Sequence, residues 1–241
     1  GKYEVERILG QGGMGIVVSA HHIALQQKVA IKLLLPSSMS RPGAAPRFLR
    51  EARSAAAIQS EHVARVLDVG TLDSGQPFMV MEYLTGSDLG GVLQRTGRLP
   101  ITDAVDYVLQ ACEAIAEAHA RGIVHRDLKP DNVFLTRRAD GSSLVKLLDF
   151  GLSQHAMEEL SGAATPSLTG ANMVAGSPQY MSPEQVRSLK SVDHRTDVWS
   201  LGVILYELLT GQRPFEADTI AGVFAKIAAA APLRPRALRP D

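Results

Sequence analysis

The feature that most constrains this chain is a run of eight mostly polar residues, His125-Arg126-Asp127-Leu128-Lys129-Pro130-Asp131-Asn132. Apolar segments flank it, Ile123-Val124 on one side and Val133-Phe134-Leu135 on the other. A second acidic motif, Asp149-Phe150-Gly151, follows another apolar segment at the spacing of a short hairpin. We therefore expect the polar residues of both motifs to converge, although they are separated along the chain.

The residue types in these two motifs suit metal-assisted phosphoryl transfer. That reaction needs in-line positioning, neutralisation of phosphate charge and a carboxylate that orients the attacking hydroxyl. Asp127 would orient the hydroxyl, and Lys129 would reach the transferring phosphate as a mobile cation. Asn132 and Asp149 offer the oxygen ligands that Mg²⁺ prefers. Either motif alone could be a solvated turn, so the prediction depends on the longer run.

These residues resemble the catalytic loop and the magnesium-binding motif of eukaryotic-type protein kinases. Lys129-Pro130 is similar to the serine/threonine branch, and Ser182-Pro183-Glu184 resembles the bacterial eukaryotic-like (Hanks-type) members. The resemblance implies a two-lobed α+β fold with the active site in the cleft between the lobes. Residues 1–84 would form a small antiparallel lobe with one helix, and residues 85–241 a mainly helical lobe. The implied reaction moves the γ-phosphoryl group of ATP to protein Ser or Thr, with Mg²⁺ or Mn²⁺, in signalling.

A glycine-rich turn, Gly10 to Gly15, lies between two segments with strand patterns, Tyr3 to Leu9 and Ile16 to Ala20. Glycines let backbone amides close over phosphates without side-chain collision. The turn also fits a dinucleotide site, but that site needs a helix directly after the glycines and an acidic residue about 20 positions later. Ile16 begins a strand pattern and position 35 is Leu, so the dinucleotide interpretation fails.

The kinase resemblance also assigns a nucleotide site. Lys32, in Val29-Ala30-Ile31-Lys32, would pair with the α and β phosphates, and Glu51 would clamp this lysine. Glu51 is the only acidic residue of the predicted helix Arg47 to Ile58, although it could instead pair with Arg47. Asp88 would contact ribose, and it could equally cap the next helix. The other implied nucleotide contacts are Leu9, Gly10, Gly12, Gly15, Val17, Ala30, Met81, Glu82, Leu84 and Phe134.

A segment rich in Ser, Thr, Ala and Gly separates the second acidic motif from Ser182. In the kinases that this chain resembles, the arginine beside the catalytic aspartate, here Arg126, receives the phosphate of a threonine in that segment. Counting back from Gly176-Ser177-Pro178 indicates Thr169, with Thr165 and Ser167 as further candidates. Each of the three could also be an unmodified solvated hydroxyl. Ser177 would face Asp127 and Lys129 on a shelf for an extended peptide.

Periodicity predicts further elements. Val63 to Gly70 and Pro77 to Tyr83 have strand patterns, which completes a five-stranded antiparallel lobe, and Pro36 to Pro46 is predicted to be a loop. The predicted helix Thr102 to Ala120 would bury Val105, Val108, Leu109, Cys112, Ile115, Ala116 and His119. Cys112 and His119 receive no chemical role. The predicted helix Arg47 to Ile58 would bury Phe48, Ala52, Ala55 and Ala56.

The last part of the chain contains two more predicted features. Asp197 is predicted to cap the helix that it opens, to bond the backbone at His125-Arg126 as in the family, or to do both. Pro232 to Pro240 is predicted to be a linker. The chain ends before the two further helices expected of the family, which carry an arginine that pairs with Glu184. We therefore expect a truncated piece of the domain.

Composition limits the partners. The 241 residues are 45% hydrophobic, which predicts a globular core, and their formal net charge of zero favours neither nucleic acid nor an anionic membrane. The single cysteine excludes an internal disulfide, and no apolar run approaches the roughly 20 residues of a membrane span. We expect a cytoplasmic chain, tethered if at all by regions outside it. Its partners would be protein substrates and a second copy for trans-autophosphorylation.

Two alternative functions stay open at this stage. A small-molecule phosphotransferase of the same architecture is disfavoured by Lys129-Pro130 and by Ser177 before Ser182-Pro183-Glu184. An inactive kinase fold that serves as a scaffold would need a missing catalytic part. All of the expected catalytic residues are present, namely Lys32, Glu51, Asp127, Lys129, Asn132 and Asp149.

Overall fold

The computed structural model describes residues 1–12, 15–40, 43–150, 177–188 and 192–241. Contacts divide the chain into two compact units. The first unit contains Gly1–Gln59 and Val63–Thr85, and the second contains Ser60–His62 and Gly86–Asp241. His62 belongs to the second unit because its backbone oxygen accepts the N–H of Leu147 at 2.8 Å.

The first unit is built on a five-stranded sheet in the order β1-β2-β3-β5-β4, and every pairing is antiparallel. The strands are β1 (Tyr3–Gln11), β2 (Gly15–His22), β3 (Gln27–Leu34), β4 (Val66–Thr71) and β5 (Pro77–Glu82). This confirms the predicted five-stranded antiparallel sheet. Alternation along the strands separates their side chains onto two faces.

Each face of this sheet has its own apolar cluster. On one face, Val18, Ala20, Val29, Ile31 and Val80 are buried together. On the other face, Leu34 and Met79 pack with Phe48 and Ala52, which lie on a helix. The helix therefore covers the second face of the sheet.

Two helices of the first unit differ in part from the sequence prediction. Helix α1 (Pro36–Met39) lies in the segment that was predicted to be a loop, since Pro36 suits the first turn of a helix. Helix α2 (Ala44–Ala57) buries Phe48 and Ala52 as predicted. Ala56, however, is exposed, although it lies one turn after Ala52, because it is in the last turn of α2.

The second unit combines a small sheet with most of the helices. Its sheet has the order β6 (Ser87–Asp88), β7 (Val133–Arg137), β8 (Ser143–Leu147), with antiparallel pairing throughout. The helices in the described ranges of this unit are α3 (Leu89–Thr96), α4 (Ile101–Ala120), α5 (Pro183–Arg187), α6 (Arg195–Thr210), α7 (Ile220–Ala229) and α8 (Pro235–Leu238). Helix α4 packs against both α6 and β8.

Helix α4 has the predicted extent, but much of its predicted buried face is wrong. Val105 and Leu109 are 40% and 57% exposed, and Cys112 and Ala116 are exposed as well. The buried residues are Ala104, Tyr107, Val108, Gln110, Ala111, Ala114, Ile115 and Ala118. The small alanines allow close approach to neighbouring elements, and the helix is apolar on two sides, so periodicity alone selected the wrong one. None of the helices in the described ranges combines the length and hydropathy of a membrane span.

The C-terminal segment is not the plain linker that was predicted. It contains α8, and the guanidinium of Arg239 donates to the backbone oxygens of Leu99 at 2.6 Å and Leu209 at 3.2 Å. The Leu209 carbonyl lies in the last turn of α6, where backbone oxygens lack helical partners. An arginine side chain can satisfy such groups, so this segment is anchored to the second unit.

The corrected face of α4 leads to a prediction about stability. Ile115→Ala should lower the free energy of unfolding by about 2–5 kcal/mol, because it leaves a cavity in the core. Leu109→Ala, in the same helix, should change it by no more than about 0.5 kcal/mol, because this side chain is already solvated. Urea unfolding followed by circular dichroism measures both values, and equal losses in the two variants would contradict the observed face.

Candidate active site

The glycine-rich turn of the first unit joins β1 to β2. Residues Gly10 and Val17 pair across the two strands, and the N–H of Gly12 donates to the Gly15 carbonyl at 2.9 Å. A β-carbon at position 15 would lie 2.7 Å from the backbone oxygen of Leu33, so only glycine fits there. Gly13 and Met14 lie outside the described residues.

Strand register places several predicted nucleotide contacts on one face of the sheet. Val17 pairs with Lys32, and Ala30 pairs with Met81, so these four residues share a face. Lys32 is 7% exposed. Its neighbour in the register is Met79, which packs against α2 on that face. A lysine this buried needs a negative partner or a hydrogen-bond acceptor close by.

The predicted adenine-binding segment follows β5. The N–H of Glu82 donates to the Arg65 carbonyl at 3.0 Å, and the Glu82 carboxylate accepts the N–H of Arg65 at 2.8 Å. The Glu82 N–H is thus already used within the first unit. Leu84 is half-buried, whereas Leu9 on β1 is 39% exposed.

In the second unit, Asp88 caps α3, as the sequence allowed. Its carboxylate accepts the N–H of Gly91 at 2.7 Å. Asp88 also pairs with Phe134 between β6 and β7, so these two predicted nucleotide contacts are neighbours in the sheet. The ribose contact of Asp88 stays a prediction.

The loop around Asp127 is held by its own polar residues. The Asn132 side-chain amide donates to the Asp127 backbone oxygen at 2.7 Å and lies 3.4 Å from its Oδ2. Lys129 Nζ lies 3.6 Å from the same Oδ2. Pro130–Asn132 form a 3₁₀ turn that brings the amide back to the carboxylate. A carboxylate, a cation and an amide are thereby grouped at one point.

His125 connects this loop to the second acidic motif. It is completely buried, and its Nε2 lies 2.9 Å from the Leu148 carbonyl, next to Asp149. A carbonyl oxygen only accepts, so Nε2 carries the proton and Nδ1 accepts the Asp127 N–H at 3.3 Å. The His125 ring also packs on Phe150 at 4.8 Å between centroids. The backbone of Asp149 adopts φ +60°, which a non-glycine residue rarely does.

The side chain of Asp197 holds the backbone of the catalytic loop just before Asp127. Its Oδ1 accepts the N–H of Arg126 at 2.8 Å, and its Oδ2 accepts the N–H of His125 at 2.9 Å. This confirms the family-based prediction. The capping alternative is wrong, because α6 begins at Arg195 with His194 at the cap position. Asp197 is fully buried within the first turn of the helix, where its carboxylate bonds the catalytic loop.

Sequence reasoning missed the partner of this carboxylate. His119, which received no role, places its Nε2 2.7 Å from Asp197 Oδ2. The residue is therefore a donor to the group that holds the loop. Its position on the predicted helix gave no signal, since the contact spans 78 positions of sequence.

The segment around Ser177 is anchored to α6. Tyr180 donates its hydroxyl to Glu207 Oε2 at 2.6 Å, and the Tyr180 carbonyl accepts from Ser200 Oγ at 2.9 Å. Burial, and then the hydrogen bond to Glu207, raises the pKa of the Tyr180 phenol above its usual value. Arg213 donates to the other oxygen of Glu207 at 3.2 Å. The tyrosine thus remains a neutral donor, and it ties the predicted peptide shelf to the helix that also holds the catalytic loop.

The predicted phosphorylation sites Thr165, Ser167 and Thr169 lie outside the described residues. The structure does bring together Asp127, Lys129 and Asn132, and it links Asn132 to the second motif, since the Leu148 N–H donates to the Asn132 carbonyl at 2.9 Å. Such a grouping is suited to phosphoryl transfer. The five-stranded unit and the helical unit are those of a two-lobed α+β protein kinase fold.

Comparison with known proteins identifies the family. The chain matches the protein kinase domain family over residues 3–234, and it belongs to that family. It is 40% identical over 240 residues to serine/threonine-protein kinase pkn3 of Myxococcus xanthus, covering 100% of this chain and 43% of the relative. It is 39% identical over 225 residues to serine/threonine-protein kinase PknB of Mycobacterium leprae, covering 92% and 34%. The chain thus spans less than half the length of these curated relatives. Membership implies ATP and a divalent metal ion as co-reactants.

The buried carboxylate provides a prediction about stability. Asp197→Asn should lower the free energy of unfolding by roughly 1.5–3 kcal/mol, because an amide cannot accept all of the hydrogen bonds that the carboxylate does. Asp193→Asn, four positions earlier, is the matched control. The exposed Arg195 lowers the pKa of Asp193 to about 2 through a side-chain hydrogen bond. This solvated pair should contribute nothing measurable to the free energy of unfolding. Chemical denaturation measures the free energy of unfolding of both variants. An unchanged denaturation midpoint for Asp197→Asn would contradict the role of this carboxylate in holding the loop.

Proposed function

We propose that this chain transfers the γ-phosphoryl group of Mg-ATP to serine or threonine hydroxyls of protein substrates. The observation that carries the proposal is the grouping in the catalytic loop, where Asn132 and Lys129 contact Asp127 within 3.6 Å. The relatives that cover the whole chain are named serine/threonine-protein kinases, which favours this reaction over the two alternatives.

The first unit would hold the triphosphate and the adenine. Amides of the glycine-rich turn would close over the phosphates, helped by the close approach at Gly15. Lys32 would bind the α and β phosphates, and its burial favours a clamp by Glu51, the acidic residue of the helix on the same sheet face. Leu9, Val17, Ala30 and Met81 would enclose adenine, and the segment Glu82 to Leu84 would bond its edge.

The second unit would supply the ion ligands. The Asn132 side-chain nitrogen is committed to the Asp127 carbonyl, which leaves Oδ1 as the atom for a hard cation. Asp149 would supply the second oxygen. Two protein oxygens suit Mg²⁺, with Mn²⁺ as a substitute, because Mg²⁺ retains water and phosphate oxygens as its other ligands. An ion held there neutralises phosphate charge. Asp88 and Phe134 would contact the nucleoside.

Asp127 would accept the proton of the substrate hydroxyl and orient that hydroxyl toward the phosphate. Its backbone is fixed from both sides, by the Asn132 amide on its carbonyl and by His125 Nδ1 on its N–H. Lys129, only partly exposed, would offset the negative charge on the transferred group.

Arg126 supports regulation by phosphorylation. Its guanidinium Nε is buried and has no hydrogen-bond partner among the described residues. A buried guanidinium Nε without an acceptor favours an anion, and a phosphate on Thr169 would provide one through charge-assisted hydrogen bonds. Thr165 and Ser167 are the alternative sites. The co-reactant ATP would place the reaction in the cytoplasm, and phosphorylation of one copy by another would need a transient pair of chains.

The first test is transfer of labelled phosphate to generic protein substrates. Asp127→Asn should reduce kcat by roughly 10²–10⁴-fold, because the amide cannot accept the hydroxyl proton. Asp140→Asn is the control, since Asp140 is exposed in the β7–β8 hairpin and its hydrogen bonds are local ones from Ser142, including the N–H at 2.8 Å. Wild-type protein that binds nucleotide but labels neither proteins nor small alcohols would favour the scaffold. Labelled small alcohols without labelled protein would favour the small-molecule enzyme.

The second test concerns Arg126 and Thr169. Thr169→Ala should lower kcat of the ATP-treated protein roughly ten- to hundredfold, because charge-assisted bonds to Arg126 are lost. In an Arg126→Gln background the same substitution should have no further effect. Mass spectrometry of the ATP-treated protein identifies the modified residue. Full activity of Thr169→Ala, with phosphate found only at Thr165 or Ser167, would reassign the site.

A further inference from the structure

Gln185 bridges two parts of the second unit through its side-chain amide. Its Nε2 donates to the Arg126 carbonyl at 3.0 Å, and its Oε1 accepts the Ser182 N–H at 2.9 Å. The residue lies on α5 and is 3% exposed. A carbonyl can only accept and an N–H can only donate, so the two partners fix which end of the amide faces which.

The carbonyl that Gln185 holds belongs to the peptide unit directly before Asp127. That peptide begins at a residue with φ +66°, a conformation that persists only when its surroundings enforce it. Asp197 fixes the Arg126 N–H from α6 at 2.8 Å, and Gln185 fixes the Arg126 carbonyl from α5. The backbone orientation of Asp127 therefore depends on both side chains.

The other end of Gln185 lies at the segment 177–182. The Ser182 hydroxyl accepts the Gln185 N–H at 3.3 Å, and the Gln185 side chain accepts the Ser182 N–H, so both bonds that cap α5 involve Gln185. The Ser182 hydroxyl also accepts the Thr196 hydroxyl at 2.9 Å. A 3₁₀ turn, Pro178–Tyr180, precedes Ser182, with Met181 between them. Any shift of Ser182 would move the amide and, through it, the Arg126 carbonyl.

We propose that Gln185 is a positioning residue that couples the substrate segment 177–182 to the orientation of Asp127. The inference rests on the proposed kinase function, in which that segment supports the protein substrate. Gln185 touches neither substrate nor nucleotide in this role. It acts through the peptide bond between Arg126 and Asp127, and its effect should appear in kcat more than in the KM for ATP.

The substitution Gln185→Glu removes only the N–H donor to the Arg126 carbonyl. The carboxylate keeps the acceptor for the Ser182 N–H but faces the Arg126 carbonyl without a proton to donate. In the full-length protein, kcat for a protein substrate should fall about tenfold or more, with the KM for ATP within about twofold of wild type. Burial beside a carbonyl raises the pKa of the introduced carboxyl, and once protonated it can donate again. The ratio of variant to wild-type kcat should therefore rise as pH falls from about 8 to about 6.

Gln110→Glu is the matched control. Gln110 is also buried, and its Oε1 also accepts a backbone N–H, from Val145 at 2.8 Å. Its Nε2 donates to the Asp106 carboxylate at 2.8 Å and to the backbone carbonyl of Ser143 at 3.4 Å. Gln110 is on α4, and none of these three partners belongs to the catalytic loop. The same chemical change there should lower the thermal midpoint, because the introduced carboxylate lies beside that of Asp106. It should leave kcat per folded molecule within about twofold of wild type at both about pH 8 and about pH 6.

Gln185→Met keeps the test decisive if the charged variant folds poorly. It removes donor and acceptor without introducing charge, so kcat should fall with no recovery at low pH. Wild-type kcat in this variant or in Gln185→Glu overturns the coupling, and so does a loss that Gln110→Glu reproduces. In both cases wild-type protein still phosphorylates substrate and the proposed function stands. Wild-type protein that transfers no phosphate to protein overturns the function and, with it, this inference.

Discussion

The arrangement of the second unit depends on one buried carboxylate. Asp197 is fully buried, and it accepts two consecutive backbone N–H groups, from His125 and Arg126, as well as the His119 imidazole. A charge in such a place is tolerated only when hydrogen bonds surround it. The loop depends on these bonds in turn, because they hold Arg126 at a positive φ and so set the backbone orientation of Asp127.

Helix α6 supplies several of the side chains that meet this loop and the segment after Ser177. Thr196 bonds Ser182, Ser200 bonds the Tyr180 carbonyl and Glu207 accepts the Tyr180 hydroxyl. These three positions recur at helical spacing and share one side of the helix. The apolar residues Leu201, Ile204 and Leu208 bury the helix in the core. A rigid, buried element thus positions both the catalytic loop and the predicted peptide shelf, which is how a site held to sub-ångström tolerance is usually supported.

In the first unit, strand register rather than a buried helix positions the predicted nucleotide contacts. Alternation places Val17, Ala30, Lys32 and Met81 on one face, and α2 packs against that face through Phe48 and Ala52. Because the period is two, a slip of one residue would turn Lys32 toward the opposite cluster of Val18, Ile31 and Val80. The close approach of Gly15 to the Leu33 carbonyl fixes that register at the first residue of β2.

The sequence by itself determined the elements and the chemistry that depend on local order: the strands with their alternation, the glycine at position 15, and the polar run around Asp127. It did not determine which side of α4 is buried, because Leu109 and Ile115 are equally apolar and only packing distinguishes them. It also did not reveal His119 on Asp197, Tyr180 on Glu207 or Gln185 on Arg126, which join residues 78, 27 and 59 positions apart. Such bonds have no period along the chain. Only the tertiary structure decided them, because it must give most buried polar groups a partner.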